Sequence, residues 1–274
     1  MRMTKLNTTL IASMIVLSTS AVASEEVHVN PSDLTQVNTF ISGSTSNEGD
    51  LNVMGGIAGQ YSEGNNFIGL VEHTSATKPS DDDRLAQNTR LRYFQVFDVS
   101  EGVLPQIGFS VDYMKSWKMS STEDASLGTD LIALGAIAKI QISESISVFP
   151  NVAYVVGNAK AGVNNSEFDL KGYQFNLFGS WELDDTGSYI VVQPQFMQLD
   201  IDSKDSKDGK SGGAKVDVLK IKTGAGMAFT DNGKWWVELS HTYTKTKGDV
   251  EHVGNKFDII DNDNKVELAV SYYF

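Results

Sequence analysis

The stretch Lys265-Val266-Glu267-Leu268-Ala269-Val270-Ser271-Tyr272-Tyr273-Phe274 alternates without a break. Val266, Leu268, Val270, Tyr272 and Phe274 take one side, and Lys265, Glu267, Ala269 and Ser271 take the other. A period of two is that of a β-strand, whose successive side chains point to opposite faces. This strand is therefore apolar on one face and wet on the other, and it ends on an aromatic residue with no polar tail. The last strand of a soluble sandwich would show the same local alternation, so the decision passes to the rest of the chain.

Segments of this kind recur upstream, near 34–44, 50–61, 65–74, 88–99, 103–116, 128–142, 145–157, 167–183, 188–201, 214–229 and 234–247, and 264–274 completes a set of about twelve. No helical periodicity follows residue 24, Gly is frequent at 24 residues, and Pro is rare at 5. The connections sort by length. The odd ones are long and polar, at 75–87, 117–127, 158–166, 202–213 and 248–263, with 45–49 the shortest. The even ones are tight: Ser62-Glu63-Gly64, Ser100-Glu101-Gly102, Ser143-Glu144, Asp184-Asp185-Thr186-Gly187 and Asp231-Asn232-Gly233. A sandwich has no reason to sort its loops in this way. A membrane barrel does, with short periplasmic turns and longer external loops.

The faces agree. Tyr173, Phe175, Leu177, Trp181 and Leu183 lie opposite Gln174, Asn176, Ser180 and Glu182. Ile107, Phe109, Val111 and Tyr113 lie opposite Gln106, Ser110 and Asp112. In lipid the apolar face must look outward, because hydrocarbon cannot hydrate polar atoms. Tyr61, Trp181, Trp235, Tyr272 and Phe274, at segment ends, fit interfacial girdles. Phe196-Met197 breaks the alternation and predicts a bulge, while Gly55-Gly56 and Gly224-Ala225-Gly226 predict places where a wall bends or an aromatic ring packs.

On these residues the C-terminal stretch resembles the last strand and assembly signal of bacterial outer-membrane β-barrels, carried by Leu268, Val270, Tyr272 and Phe274. The whole chain resembles small porin-like members of that class. The resemblance implies an all-β fold, a transmembrane antiparallel up-and-down barrel of about twelve strands, located in the bacterial outer membrane. It also implies partners: outer-membrane lipids and lipopolysaccharide, and the barrel-assembly machinery through the C-terminal strand.

The start of the chain fits export. Arg2 and Lys5 give a positive end, Leu10-Ile11-Ala12-Ser13-Met14-Ile15-Val16-Leu17 an apolar core, and Ala21-Val22-Ala23 a cleavage site. The apolar core is too short to span a bilayer. Residues 1–23 are thus read as a signal peptide, 24–33 as a short periplasmic lead-in and 34–274 as the barrel. The formal charge of −13 falls to −15 without Arg2 and Lys5, which excludes the basic footprint of nucleic-acid binding. With no cysteine, thiolate metal sites and disulfides are excluded.

The predicted lumen carries Arg90, Arg92, Asp112, Lys139, Gln141, Asn151, Gln174, Asn176, Glu182, Gln193, Gln195, Lys220, Lys222, Glu238, Lys265 and Glu267. Such groups suit a hydrated bore and would set ion or solute preference. Twelve strands lie between the filled bore of about eight and the aqueous channel of about sixteen. Two readings stay open: a porin-like channel for small hydrophilic solutes or ions, and a non-conducting structural or surface-recognition barrel whose loops meet lipopolysaccharide, phage or host. Arg90, Arg92, Lys220 and Lys222 form a modest basic group, opposed by Glu182, Glu238 and Glu267.

A barrel hydrolase is the less favoured alternative, and no catalytic residue is assigned. No Asp-x-His occurs, Ser240 and His241 are adjacent and so face opposite ways, and Tyr243 stands two residues beyond His241. His28 falls in the lead-in and His252 in a predicted loop, leaving Glu72-His73 at a strand top as the one pair to inspect. No metal or cofactor is predicted. Asp81-Asp82-Asp83, Asp202/Asp205/Asp208 and the carboxylates from Asp258 to Asp263 read as solvated loops; the second of these places lysines where a calcium loop needs ligands.

Overall fold

A computed structural model of the chain describes residues 31–33, 38–77, 86–117, 127–161, 166–203, 213–252 and 255–274. The stretch 1–23 read as a signal peptide and the expected Asp81-Asp82-Asp83, Asp205 and Asp208 loop positions lie outside them. Among the described residues there are twelve strands and no helix: β1 (Phe40–Ser46), β2 (Asp50–Ser62), β3 (Asn65–Ala76), β4 (Gln87–Asp98), β5 (Gln106–Ser116), β6 (Leu127–Gln141), β7 (Ile146–Ala161), β8 (Ser166–Glu182), β9 (Tyr189–Ser203), β10 (Gly213–Ala228), β11 (Trp235–His252) and β12 (Asn255–Tyr273). Each pairs antiparallel with its sequence neighbours. β1 then pairs with β12, from Phe40 opposite Tyr273 to Ser46 opposite Glu267, so the sheet closes into a barrel. Closure leaves no unpaired strand edge, the one condition under which a sheet can span hydrocarbon.

The outer surface is apolar. Ile57, Val152, Phe175, Leu134, Leu239 and Leu268 are each 48% or more exposed, on six different strands. A soluble monomer rarely shows contiguous apolar area on this scale, and here it belts the barrel. Below the belt the expected girdle residues point outward. Tyr61 stacks on Phe67 at 4.5 Å between ring centroids, and Trp235, Tyr272 and Phe274 form a second group with spacings of 4.9 and 5.2 Å. The tight turns on that side are set by local chemistry. Gly64, Gly187 and Gly233 all have positive φ, which a Cβ would strain. In the β8–β9 turn the Thr186 hydroxyl and the Ser188 amide donate to Asp184 and hold its carboxyl below the usual range.

Four expectations are corrected. The 248–263 loop is largely strand: β11 runs to His252 and β12 starts at Asn255, with Asp249 opposite Asp258 and Thr244 opposite Asp263. Beyond the bilayer both faces of a hairpin are wet, so polar sequence there says nothing against pairing. The 158–166 connection shortens similarly, as β7 reaches Ala161 and β8 begins at Ser166. β1 begins at Phe40 instead of near 34, with 34–37 outside the described residues. Phe196-Met197 makes no bulge: register is unbroken from Phe196 opposite Leu219 to Met197 opposite Val218. Phe196 faces lipid while Met197 packs on an inner apolar cluster. The irregularity sits in β2, between Gln60 and Ser62.

The inner glycines do what their positions predicted. A Cβ on Gly56 would lie 2.3 Å from the Phe40 ring, and one on Gly226 would lie 2.3 Å from the Tyr189 ring. Each glycine makes room for an aromatic side chain folded over it from the neighbouring strand.

Candidate functional site

The register places every predicted lumen residue on the inner face, because all share the phase of buried positions on their strands. The bore has two unlike walls. On β6–β9, Leu131, Ala133, Ala153, Val155, Leu170 and Leu199 form a buried apolar cluster. Nearer the tight turns Leu70, Phe94, Ile137 and Phe149 form a second, extended by Phe40 and Phe178. Phe149 and Val155 are fully buried, so these clusters are packed and dry. These apolar groups add to the polar residues expected to line the bore. On these strands both faces are apolar, as in Leu131-Ile132-Ala133-Leu134, and alternation cannot mark which side is lumen.

Farther from the tight turns, β10–β12 and β1–β5 carry a file of paired charges on their inner face, across from the Leu131–Leu199 cluster. Arg90 donates from Nε to both Asp112 carboxylate oxygens at 2.9 and 3.2 Å. Arg92 donates to Glu72 at 3.0 Å, and Asn52 donates to the other Glu72 oxygen at 2.8 Å. Lys222 meets Glu238 at 2.7 Å, whose second oxygen accepts from the Tyr189 hydroxyl at 2.8 Å. Lys265 reaches Asp50 at 3.4 Å and lies 3.9 Å from Glu267. Lys220, on β10, lies on the same inner face, between Gln195 of β9 and Thr244 of β11 in register.

An amide layer lies between the two apolar clusters on the β5–β8 side. Asn176 donates to Asn151 at 2.9 Å, and Asn151 donates to Ser110 at 2.8 Å. Gln174 is buried beside them, with its carbonyl oxygen unpaired among the described residues. Glu182 faces inward at the foot of β8, next to Tyr189 across the turn. At the same end, the chain before β1 enters the bore. Ser32 and Ser180 share a hydrogen bond at 2.5 Å, and Lys139 donates to Asp33 at 2.6 Å. Asp33 and Ser32 were expected in a periplasmic lead-in with no stated contact. Beside them a cleft of about 600 Å³ is lined by Asp98, Glu101, Gln106, Lys139 and Gln141.

Sequence reasoning missed Asp50, Asn52 and Glu72 as lumen groups. Glu72 was read with His73, yet the two point to opposite faces: Glu72 into the bore, His73 outward onto Thr89 at 3.0 Å. Its place opposite Arg90 on β4 was the available signal, and reading it required the register. Ser240 is buried inward while His241 is exposed and bonds Asn264, so they form no catalytic pair. Among the described residues no group of three or more metal-ligating side chains converges.

No family model and no curated protein matches the sequence. Solved structures do match in shape. The COG4313 outer membrane channel from Pseudomonas putida F1 superposes with a TM-score of 0.57 at 12% identity, over 90% of this chain and 100% of that one. A KdgM porin gives 0.41 at 10%, over 87% and 99%. The siderophore receptor PiuA from Acinetobacter baumannii gives 0.42 at 8%, over 88% of this chain and 48% of that one, so the chain spans about half the length of such receptors. With a closed antiparallel sheet of twelve strands, an apolar belt and aromatic ends, the chain has the fold of a small outer-membrane β-barrel of the porin-like kind.

Proposed function

We propose that the barrel is a narrow porin-like channel for small hydrophilic solutes or ions. The observation that carries this is the unlike pair of walls. A purely structural barrel gains nothing from stacking Arg90, Arg92, Lys220, Lys222 and Lys265 with Glu72, Asp112, Glu238 and Glu267 across from the apolar Leu131, Ala133, Val155 and Leu199 of β6–β9. A charge file beside a dry wall is what guides a solvated solute along one path. Purified barrel in planar bilayers is expected to give ohmic current steps, and silence across voltage and salt would refute the channel.

One observation favours the non-conducting alternative: the apolar packing around Phe149, together with Ser32 and Asp33, narrows the end with the tight turns. If recordings are silent for the intact protein and for Asp33→Ala, the structural or surface-recognition reading prevails. The envelope partners are part of the same proposal. Outward Lys115, Lys160 and Lys171, each paired with a carboxylate above the belt, suit lipopolysaccharide phosphates. Leu268, Val270, Tyr272 and Phe274 present the outward face expected to engage the assembly machinery, and removing Phe274 should slow insertion in cells more than refolding in detergent.

A further inference from the structure

The strands do not end level. β1 turns back after Ser46, opposite Glu267. Its last hold on β12 is Asn47, whose amide donates to the Val266 carbonyl at 3.0 Å and whose side chain accepts from the Val266 amide at 2.8 Å. β12 continues beyond that point with β11 alone beside it, out to Asn255 opposite His252. Closure therefore holds along Val270, Leu268 and Val266, the apolar run of β12, and lapses above it. Main-chain groups in an antiparallel strand turn alternately to its two neighbours. Val266 turns toward β1, so Asn264, Asn262 and Ile260 present their N–H and C=O groups on that same side. Among the described residues nothing pairs with them there. The Asn262 and Asn264 side chains bend the other way, to the Tyr243 hydroxyl at 2.9 Å and the His241 ring at 3.2 Å.

The charges along this free edge are of one sign. On its inward face Asp261 stands opposite Thr246 and Asp263 opposite Thr244, so β11 supplies no cation. Asp261 has no ion pair or hydrogen bond among the described residues. The adjacent ammonium, Lys265, is held by Asp50 at 3.4 Å. Glu48, in the β1–β2 turn, shares a hydrogen bond with Asp263, and that contact, then burial, holds its carboxyl above the usual range. An open edge is a template for another strand. Two copies of this one are kept apart, since antiparallel pairing centred on Asn262 would set Asp261 against Asp263 twice. We infer that the Ile260–Asn264 edge takes up, by strand addition, an extended segment of another polypeptide that carries lysine or arginine at alternate positions. In the antiparallel register the two cations fall opposite Asp263 and Asp261. These are non-hydrogen-bonded positions of the new pair, where side chains approach most closely. The next alternate position falls opposite Ile260, which is 60% exposed, and suits an apolar side chain. Main-chain bonds then supply affinity, and the carboxylates supply the choice of partner. The edge lies above the apolar belt, so the inference goes beyond the channel reading and holds whether or not the bore conducts.

The test titrates the purified barrel in detergent micelles against the fluorescein-labelled peptide Thr-Lys-Thr-Lys-Val-Thr, read by fluorescence anisotropy. Two further peptides serve as controls: one with glutamate in place of both lysines, and one N-methylated at the three amides that would face Asn264, Asn262 and Ile260. The basic peptide is expected to bind saturably and the other two are not. Asn262→Pro removes one edge N–H while leaving the β11 ladder intact, and should abolish saturable binding. Asp261→Asn combined with Asp263→Asn should weaken it about fivefold, the worth of two exposed ion pairs. Undiminished binding to either variant, or equal binding of the methylated or acidic peptide, overturns strand addition at this edge. Failure of the basic peptide to bind the parent overturns it as well. A parent that sediments as a dimer and becomes a monomer on Asn262→Pro gives the edge to a second copy and overturns the basic segment as its occupant. Heat-modifiable gel migration confirms that each variant is folded, and the methylated peptide, tested on the parent, needs no variant at all.

Discussion

Replacing Phe149 by alanine tests whether the end of the bore near the tight turns is dry. The side chain is fully buried in a cluster with Ile68, Leu70, Phe94, Val96 and Ile137, and Lys139 Nζ lies 5.8 Å from its ring centroid. Truncating a packed phenylalanine costs about 3–5 kcal/mol, combining lost transfer energy with the cavity left behind. The cation contact, near the outer limit of useful distance, adds about 0.5 kcal/mol. A loss of about 3–4 kcal/mol is therefore expected in reversible denaturant titrations of the barrel in phospholipid vesicles, read by tryptophan fluorescence. A ring hanging into water would have little to lose, and its removal would fall within about 0.5 kcal/mol. The same variant should raise single-channel conductance, because the cavity opens in the apolar packing at the end of the bore near the tight turns. Phe149→Leu, which keeps most of the volume, should cost less than about 1.5 kcal/mol and leave conductance near the parent value. An unchanged midpoint for Phe149→Ala would refute the packed lumen, and with it the assignment of solute traffic to the charged wall.

Other substitutions probe the remaining surfaces. Leu134→Arg on the lipid face should cost about 2–4 kcal/mol if it sits near the bilayer midplane, whereas Asn176→Arg, inward and polar, should cost less in the same vesicle titration. Gly56→Ala forces a Cβ into the Phe40 ring and should destabilise by about 1–3 kcal/mol, while Gly43→Ala meets nothing within 4 Å and should stay within about 0.5 kcal/mol. Asp33→Ala frees Lys139 and loosens the chain before β1, so conductance in planar bilayers should rise with little change in stability. Asp112→Asn removes the charged acceptor of Arg90 and leaves that guanidinium's charge unbalanced in the bore, so the reversal potential should move toward anions.

The fold was legible because lipid enforces it residue by residue. Each crossing of the belt must show an apolar residue at every second position, and strands such as β5 and β8 display that with polar partners between. Where lipid stops enforcing, legibility stops. The upper β11–β12 hairpin pairs Lys245 with Asn262 and Lys247 with Ile260, a wet ladder whose sequence reads like a loop. The polar half of the lumen was legible residue by residue, since Arg90, Lys220 and Glu238 follow from their strands' phase. Its pairing was not. Arg90 stands opposite Glu72 on one side and next but one to Asp112 on the other in the ladder, and only the three-dimensional register with the side chains in place gives it to Asp112 and leaves Glu72 to Arg92.

The same logic explains why the apolar wall escaped notice and why it matters. In β6 and β7, Ile132, Leu134, Val152 and Tyr154 face lipid, while Leu131, Ala133, Ala153 and Val155 face the bore. A strand apolar on both faces has no period to read, and in a soluble protein it would mark a central strand of a sandwich. In a closed barrel one of those faces must fill the interior. Packing there fills part of the space that twelve strands would otherwise enclose, and at the level of Leu131 to Val155 it leaves the charged groups to the opposite side. The selectivity of the proposed passage then falls to the charged groups that remain on that side. That is why exchanging one carboxylate of that file, such as Asp112, should weigh more in this barrel than it would in the wide lumen of a larger one.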